Sequence, residues 1–301
     1  MRIRHGRQGG GVTTVDGANL IDTCLAFSHS GPVTLDSIDF RRGKIRGLTV
    51  STTAADADLF VTNCGVHCCC RDSLWSGGGG TAFTGHAGSS VRFVGCEWGG
   101  MTERNWDYGN AGGCGVIGGY TRAYFANCSI VSNVCNAGGS GGAMGTAFHM
   151  NGQPFEMVGC RFAGNHMKCQ GGVLMYLTGN CSGSVFRNCS FTGNQDNKTT
   201  GLVYQNTGAA NTLEIDNCTF AYNLIAKCTA VRVDSGVATV RNSIFHGNRK
   251  DATSSVGADI HVGKNLRSRM SNQSPSPHAR RHPSPCRRHC RAHSRPSGQS
   301  P

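Results

Sequence analysis

Arg232 and Asp234 stand two residues apart in TAVRVDSG. On a strand that spacing puts both on one face. A guanidinium beside a carboxylate is part of the cation, acid and base set with which enzymes open polysaccharides. His149, Tyr204 and Lys227 are the neighbouring polar groups, and the alignment below stacks position 232 on Tyr204, Met175 and Gly145. That column is a groove floor with one charge rather than a catalytic cluster. Arg187, Asp216 and Arg241 recur at one repeat position with Glu214 beside them. Cations above and below a carboxylate read as an exposed ion-pair ladder. Trp106 and Tyr108 lie in the insertion MTERNWDYGNAGG (101–113). With Tyr204 they are the candidate ligand-binding residues, because flat rings supply stacking surface for sugars.

Other motifs fail on context. Cys64-x-x-His67-Cys68-Cys69-Cys70 has the donors of a tetrahedral metal site, but the second ligand pair at fixed spacing is missing. Cys286, His289, Cys290 and His293 lie in a stretch with no fold to hold them. No metal and no cofactor are expected. Gly113–Gly118 matches G-x-G-x-x-G without the following helix and acidic residue. Gly138–Gly142 matches G-x-S-x-G without a strand-to-helix elbow.

The elements that must position these residues come from a repeat. LFVTNCGV, VRFVGCEW, AYFANCSI, FEMVGCRF, SVFRNCSF and LEIDNCTF align on Cys64, Cys96, Cys128, Cys160, Cys189 and Cys218, at spacings of 32, 32, 32, 29 and 29 residues. VTLDSIDF precedes the set and ATVRNSIF follows it. In each copy two apolar pairs with a step of two flank a single residue that breaks the alternation: Ser37, Asn63, Gly95, Asn127, Gly159, Asn188, Asn217 or Asn242. A step of two is strand periodicity, and Asn and Gly tolerate a left-handed backbone. A third apolar run follows ten to thirteen residues later, as in GGAM from Gly141, GGVL from Gly171 and TGLVY from Thr200.

One such unit cannot bury its apolar face alone, whereas stacked units can. The expected fold is all-β: a parallel β-helix, one coil per repeat, about nine coils of three short strands, coils ~4.8 Å apart. Stacking turns each repeat position into a column. The bend column (Asn63, Asn127, Asn188, Asn217 and Asn242) is expected to bond amide to amide along the axis. The Cys column faces inward as small core spacers. Disulfides between coils are an open alternative, since neighbouring coils fall within the usual Cα separation. A glycan on Asn127, Asn188 or Asn217 would break the bend ladder, which leaves Asn180 and Asn197 as open sequons.

Composition agrees with this reading. Of 301 residues 44 are Gly, and only 15% are charged. The formal net charge of +12 is unevenly placed. Residues 267–301 carry eight Arg and no acid, leaving +4 for the rest. The fold is therefore nearly neutral, and nucleic-acid binding through it is not expected. The same tail holds six of the eight prolines and cannot bury a core. The organisation expected is a flexible segment over 1–11, the repeat domain over 12–265 and a disordered Arg/Pro/Ser tail over 266–301. No run of 18 apolar residues encodes a transmembrane helix, and no signal-peptide pattern is seen at the start.

Phe162-Ala-Gly-Asn165, Phe191-Thr-Gly-Asn194, Phe220-Ala-Tyr-Asn223 and Phe245-His-Gly-Asn248 are F-x-x-N, and Gly141-Gly-Ala-Met144 and Gly171-Gly-Val-Leu174 are close to G-G-A-[ILV]. As a set, over roughly residues 12–265, they resemble the repeats of the polymorphic outer membrane proteins. The resemblance implies a right-handed β-helix of the pectin-lyase-like class, displayed at a cell surface, at an outer membrane or outside the cell, and often adhesive. The chain departs from that family in showing neither its signal peptide nor its C-terminal barrel. Two functional readings follow. The expected one is a non-enzymatic binding or adhesion protein whose partners are cell-surface glycans or host and partner proteins. The alternative is a carbohydrate-active enzyme (lyase, hydrolase or epimerase) working through Arg232 and Asp234.

Overall fold

The computed structural model describes residues 2–4, 12–71, 80–103, 113–135, 144–167, 172–196, 201–206, 211–226, 229–234, 236–250, 258–262 and 269–271. They form strands and turns, with no helix among them. Hence no helix there is long and apolar enough to cross a membrane. Residues Met1–Ser271 form one compact unit. The remaining segment, Asn272–Pro301, lies outside the described residues, as do Trp106, Tyr108 and Lys227.

The chain winds as a right-handed parallel β-helix. Its strands stack into a ten-stranded sheet, two nine-stranded sheets and a six-stranded sheet. One coil shows the plan: Phe155–Val158, Arg161–Ala163, His166–Met167 and Gly172–Thr178, each hydrogen-bonded to its counterparts in the coils before and after. A full coil thus has four strands, not three. The extra one is two residues long, too short to leave a periodic signal. Among the described residues six coils carry all four strands. The about nine expected from the repeat count include coils at either end that lack the short strand. Both ends also differ from expectation. Arg2–Arg4 pairs antiparallel with residues 14–16, inside the segment expected to be flexible. At the other end Arg269–Ser271 continues the stack beside Thr239–Arg241, past the expected boundary at 265.

Alternation decides what faces the core. In Phe155–Val158 the pattern is buried, intermediate, buried, intermediate. The step across each bend restores it, so Phe155, Met157, Cys160 and Phe162 are all buried. In register, identical positions become columns. Phe162, Phe191, Phe220 and Phe245 stack with ring centroids 4.6, 4.4 and 4.8 Å apart and planes within 3° of parallel. The bend residues Ser37, Asn63, Asn127, Asn188, Asn217 and Asn242 all have φ between 48 and 55°, and Gly95 and Gly159 have 62 and 65°. This is the left-handed conformation that their residue types imply.

The six column cysteines are buried thiols in the row expected, none of them in a disulfide. Each satisfies its S–H on backbone. Cys96 donates to the carbonyl of Val61 at 3.2 Å, and Cys189 to that of Met157 at 3.4 Å.

The amide ladder, however, is not at the bend. The bend asparagines are exposed. One of them bonds another, Asn217 Nδ2 to Asn188 Oδ1 at 2.5 Å, while Asn63 and Asn242 reach Asp36 and Asp216. The continuous ladder runs through the asparagines of F-x-x-N and their equivalent Asn133. Asn133, Asn165, Asn194, Asn223 and Asn248 are buried, and each Nδ2 of the first four donates to the next Oδ1 at 2.9 to 3.0 Å. Each of the five also donates to a main-chain carbonyl of the preceding coil, such as Asn165 to Ile130 at 2.9 Å. An inward corner leaves turn peptides without strand partners, and buried peptides must be paired. The outer bend is wet and has no such need.

Candidate functional site

The sheet built from the third apolar run of each repeat carries the polar groups singled out above. Its outward column reads Val116, His149, Tyr176, Tyr204 and Arg232 in consecutive coils. Tyr204 and Arg232 are neighbours as expected. Met175 and Gly145 are not in this column. Met175 pairs with Val203 and is buried in the core, and the strand Met144–Asn151 shifts register between Gly145 and Phe148. The expected alignment is one residue off at Met175, where the neighbour of Tyr204 is Tyr176, and four off at Gly145, where the column holds His149; the register shift bears only on the second.

The column is an aromatic ladder closed by an ion pair. The His149 and Tyr176 rings stack at 5.1 Å, and Tyr176 and Tyr204 at 5.7 Å with planes 18° apart. The Arg232 guanidinium lies 5.0 Å over the Tyr204 ring. Arg232 also holds Asp234 with two parallel bonds, Nε to Oδ1 at 2.8 Å and a terminal nitrogen to Oδ2 at 3.0 Å. Tyr204 donates its hydroxyl to Asp234 Oδ2 at 2.7 Å. At the other end His149 Nε2 lies 2.7 Å from the Thr178 hydroxyl.

These contacts fix the protonation states. Burial raises the Tyr204 phenol above its ordinary range, and the Asp234 carboxylate beside it adds to the effect. Its hydrogen bond with Asp234 likewise raises Arg232. Tyr204 is therefore a proton holder and not a base. Both oxygens of Asp234 already accept hydrogen bonds. The rings of Tyr176 and Tyr204 are 6% and 8% exposed, and their faces are taken by each other, His149 and Arg232. A ligand meets edges and hydroxyls here rather than open ring faces.

The other candidates are dispersed. Cys64 points into the core, and His67 points outward, because no bend lies between them and plain alternation sends residues three apart to opposite sides. Cys68 is exposed at the next turn with φ 53°. His67 lies over Gly65 and Gly99, 3.6 Å from Asp39 and 3.9 Å from Glu97. Asp39 is also paired with Arg41. Among the described residues no three His, Cys, Asp or Glu side chains converge on a metal position. In the expected charged ladder the residues Arg187, Asp216 and Arg241 do share a column, but the ion pair formed is Arg187 with Glu156 at 2.7 Å.

Sequence reasoning missed the outer face of the first apolar strand of each repeat. There Arg92, Tyr124 and Glu156 stand in consecutive coils, with a cavity beside them. The signal was present: each occupies the polar position between two buried residues. No family model matches the chain, and no curated protein or solved structure matches it either.

Proposed function

We propose that this chain is a non-enzymatic β-helix protein of a cell surface, outer membrane or extracellular space, which binds cell-surface glycans or partner proteins along its flanks. The observation that supports this most is the closed state of the charged cluster on this face. Asp234 is held by both Arg232 and Tyr204, and Tyr204 keeps its proton. Glycoside hydrolysis requires two carboxylates, one as acid and one as base or nucleophile. Among the described residues the columns here bring His149, Tyr176, Tyr204 and Arg232 together with Asn151, Thr178 and a single carboxylate, Asp234. The F-x-x-N and G-G-A-[ILV] repeats, resembling a surface-displayed and often adhesive family, favour the same reading.

The test is direct. The purified chain, incubated with pectate, alginate and neutral polysaccharides, is expected to release no product while retaining glycans or cell-surface proteins in a binding assay. Asp234→Ala is expected to leave that binding unchanged. Unsaturated or reducing-end products that vanish in Asp234→Ala overturn the proposal in favour of a carbohydrate-active enzyme.

A further inference from the structure

The outer face of the sheet formed by Ser90–Val94, Arg122–Ala126, Phe155–Val158 and their stacked counterparts holds a trough. Its floor is the column Val94, Ala126 and Val158. Its wall is the parallel column Arg92, Tyr124 and Glu156. The cavity between them measures about 250 Å³. Small apolar side chains at consecutive coils give a flat strip rising ~4.8 Å per coil.

The charges around this strip do not balance. Glu156 is neutralised by Arg187. Arg92 is exposed and lies 4.7 Å over the Tyr124 ring, and Arg122 lies 5.8 Å from the same ring. Neither Arg92 nor Arg122 has a carboxylate within 4.0 Å among the described residues. Arg122 spends a terminal nitrogen on the carbonyl of Gly183, and its Nε is buried with no partner. Two guanidinium groups thus flank one tyrosine with Glu156, the carboxylate beside it, already taken by Arg187, on a molecule whose folded part is otherwise close to neutral. Guanidinium groups pair carboxylates and sulfates with two parallel bonds.

We infer that this trough binds one unit of an acidic saccharide. The sugar's apolar face lies on Val94, Ala126 and Val158, its carboxylate or sulfate pairs with Arg92 in the positive field of Arg122, and its hydroxyls donate to Glu156. A saccharide fits better than an acidic peptide for two reasons. The floor is a flat strip without pockets for alternating side chains, and the wall offers an acceptor beside the cation. The inference rests on the reading of the chain as a binding protein, and it names a ligand class for a face distinct from the Tyr204 cluster.

Calorimetric titration of the full chain tests it, using a galacturonic acid tetramer, a sulfated tetrasaccharide, a neutral maltose tetramer and a glutamate tetrapeptide. A charge-assisted hydrogen bond is worth ~1.5–3 kcal/mol, so Arg92→Gln is expected to weaken acidic saccharides by about tenfold or more. Arg161→Gln, an exposed arginine on the adjacent sheet, is expected to change nothing. Raising the salt concentration is expected to weaken binding. Binding of either acidic tetrasaccharide with this pattern supports the site, and their ratio tells carboxylate from sulfate. Wild-type affinity in Arg92→Gln, equal affinity for the maltose tetramer, equal affinity for the glutamate peptide, or no binding of any saccharide overturns it. All four leave the chain's reading as a binding protein standing, whereas turnover of the galacturonate overturns that reading instead.

Discussion

Asn194 bonds Asn223 side chain to side chain, Nδ2 to Oδ1 at 3.0 Å, while its own Oδ1 accepts from both the backbone and the side-chain nitrogen of Asn165, at 3.1 and 2.9 Å. The same Nδ2 also reaches the carbonyl of Phe162 at 3.0 Å. One buried amide thus ties three successive coils. Without it, two nitrogens and two oxygens lose partners where water does not reach. A buried polar group left unpaired costs ~1–3 kcal/mol. Asn194→Ala is expected to destabilise the chain by about 3–5 kcal/mol in urea denaturation. Asn217→Gly, at the exposed bend with φ 51°, keeps the backbone conformation and is expected to cost about 1 kcal/mol or less. Equal costs would mean that the inner column is no more a ladder than the outer one.

The phenylalanine column next to that ladder makes a second contrast. Phe191 is fully buried, with Phe162 and Phe220 stacked on its two faces at 4.6 and 4.4 Å. Phe→Ala in a core costs ~3–5 kcal/mol, because a cavity is left as well as lost burial. Phe191→Ala is expected in that range. Phe245→Ala, at the end of the stack with one aromatic neighbour and partial exposure, is expected to cost under half as much. Thermal melts of both variants check the ordering, and a larger loss for Phe245→Ala would place the stabilising contacts elsewhere.

Most of this architecture was legible in the sequence because a stacked repeat writes each column as a recurring residue. The Cys row, the left-handed bends and the three main sheets follow from the spacing of Cys64, Cys96 and Cys128 and from the Asn or Gly before each. What failed were places where strict register ends. Gly145 to Phe148 slips, so His149 and not Gly145 stands beside Tyr176. His166–Met167 and its counterparts are too short to show alternation. The role of Asn165 and Asn194 was invisible for a different reason. F-x-x-N shows that an asparagine recurs, but burial decides whether its amide must bond, and burial of a turn is a property of the whole coil. The Arg92 trough was missed because a lone polar residue between two buried ones reads as ordinary solvent face.

Alkaline pH is expected to destabilise the chain through Cys64 and Cys181. Burial pushes the Cys64 thiol up to about 11 from 9.0, and that of Cys181 likewise. A thiol harder to ionise in the fold than in the open chain stabilises the fold while both forms are protonated. That contribution is complete below pH 9 and disappears as pH rises through about 11, since the unfolded state then binds fewer protons. The melting temperature is therefore expected to fall between pH 9 and 11. Cys64→Ala and Cys181→Ala are expected to start lower at pH 7 and to fall less steeply. A slope unchanged in the double variant would assign the alkaline transition to other groups.

Gly85 and Tyr120 are expected to be coupled. A Cβ at Gly85 would sit inside the Tyr120 ring, 2.6 Å from Cδ1, so the glycine is there to admit the ring. The ring brings the Tyr120 hydroxyl to Thr52 at 3.0 Å, and Thr52 lies 2.9 Å from His29 Nε2. His29 Nδ1 lies 2.7 Å from the carbonyl of Gly31, which can only accept. In the neutral ring the proton therefore sits on Nδ1, which leaves Nε2 to accept from Thr52 and Thr52 to accept from Tyr120, whose phenol is held protonated by burial. Overpacking costs ~1–3 kcal/mol, and Gly85→Ala is expected in that range. Tyr120→Phe is expected to cost about 1–2 kcal/mol by leaving Thr52 without its donor. In the Gly85→Ala background the ring is displaced and that bond is already lost, so the second substitution should cost little. Urea denaturation of the two single variants and the double variant measures the coupling. Additive losses would show that Tyr120 keeps its place despite the methyl group, and that Gly85 is not what admits it.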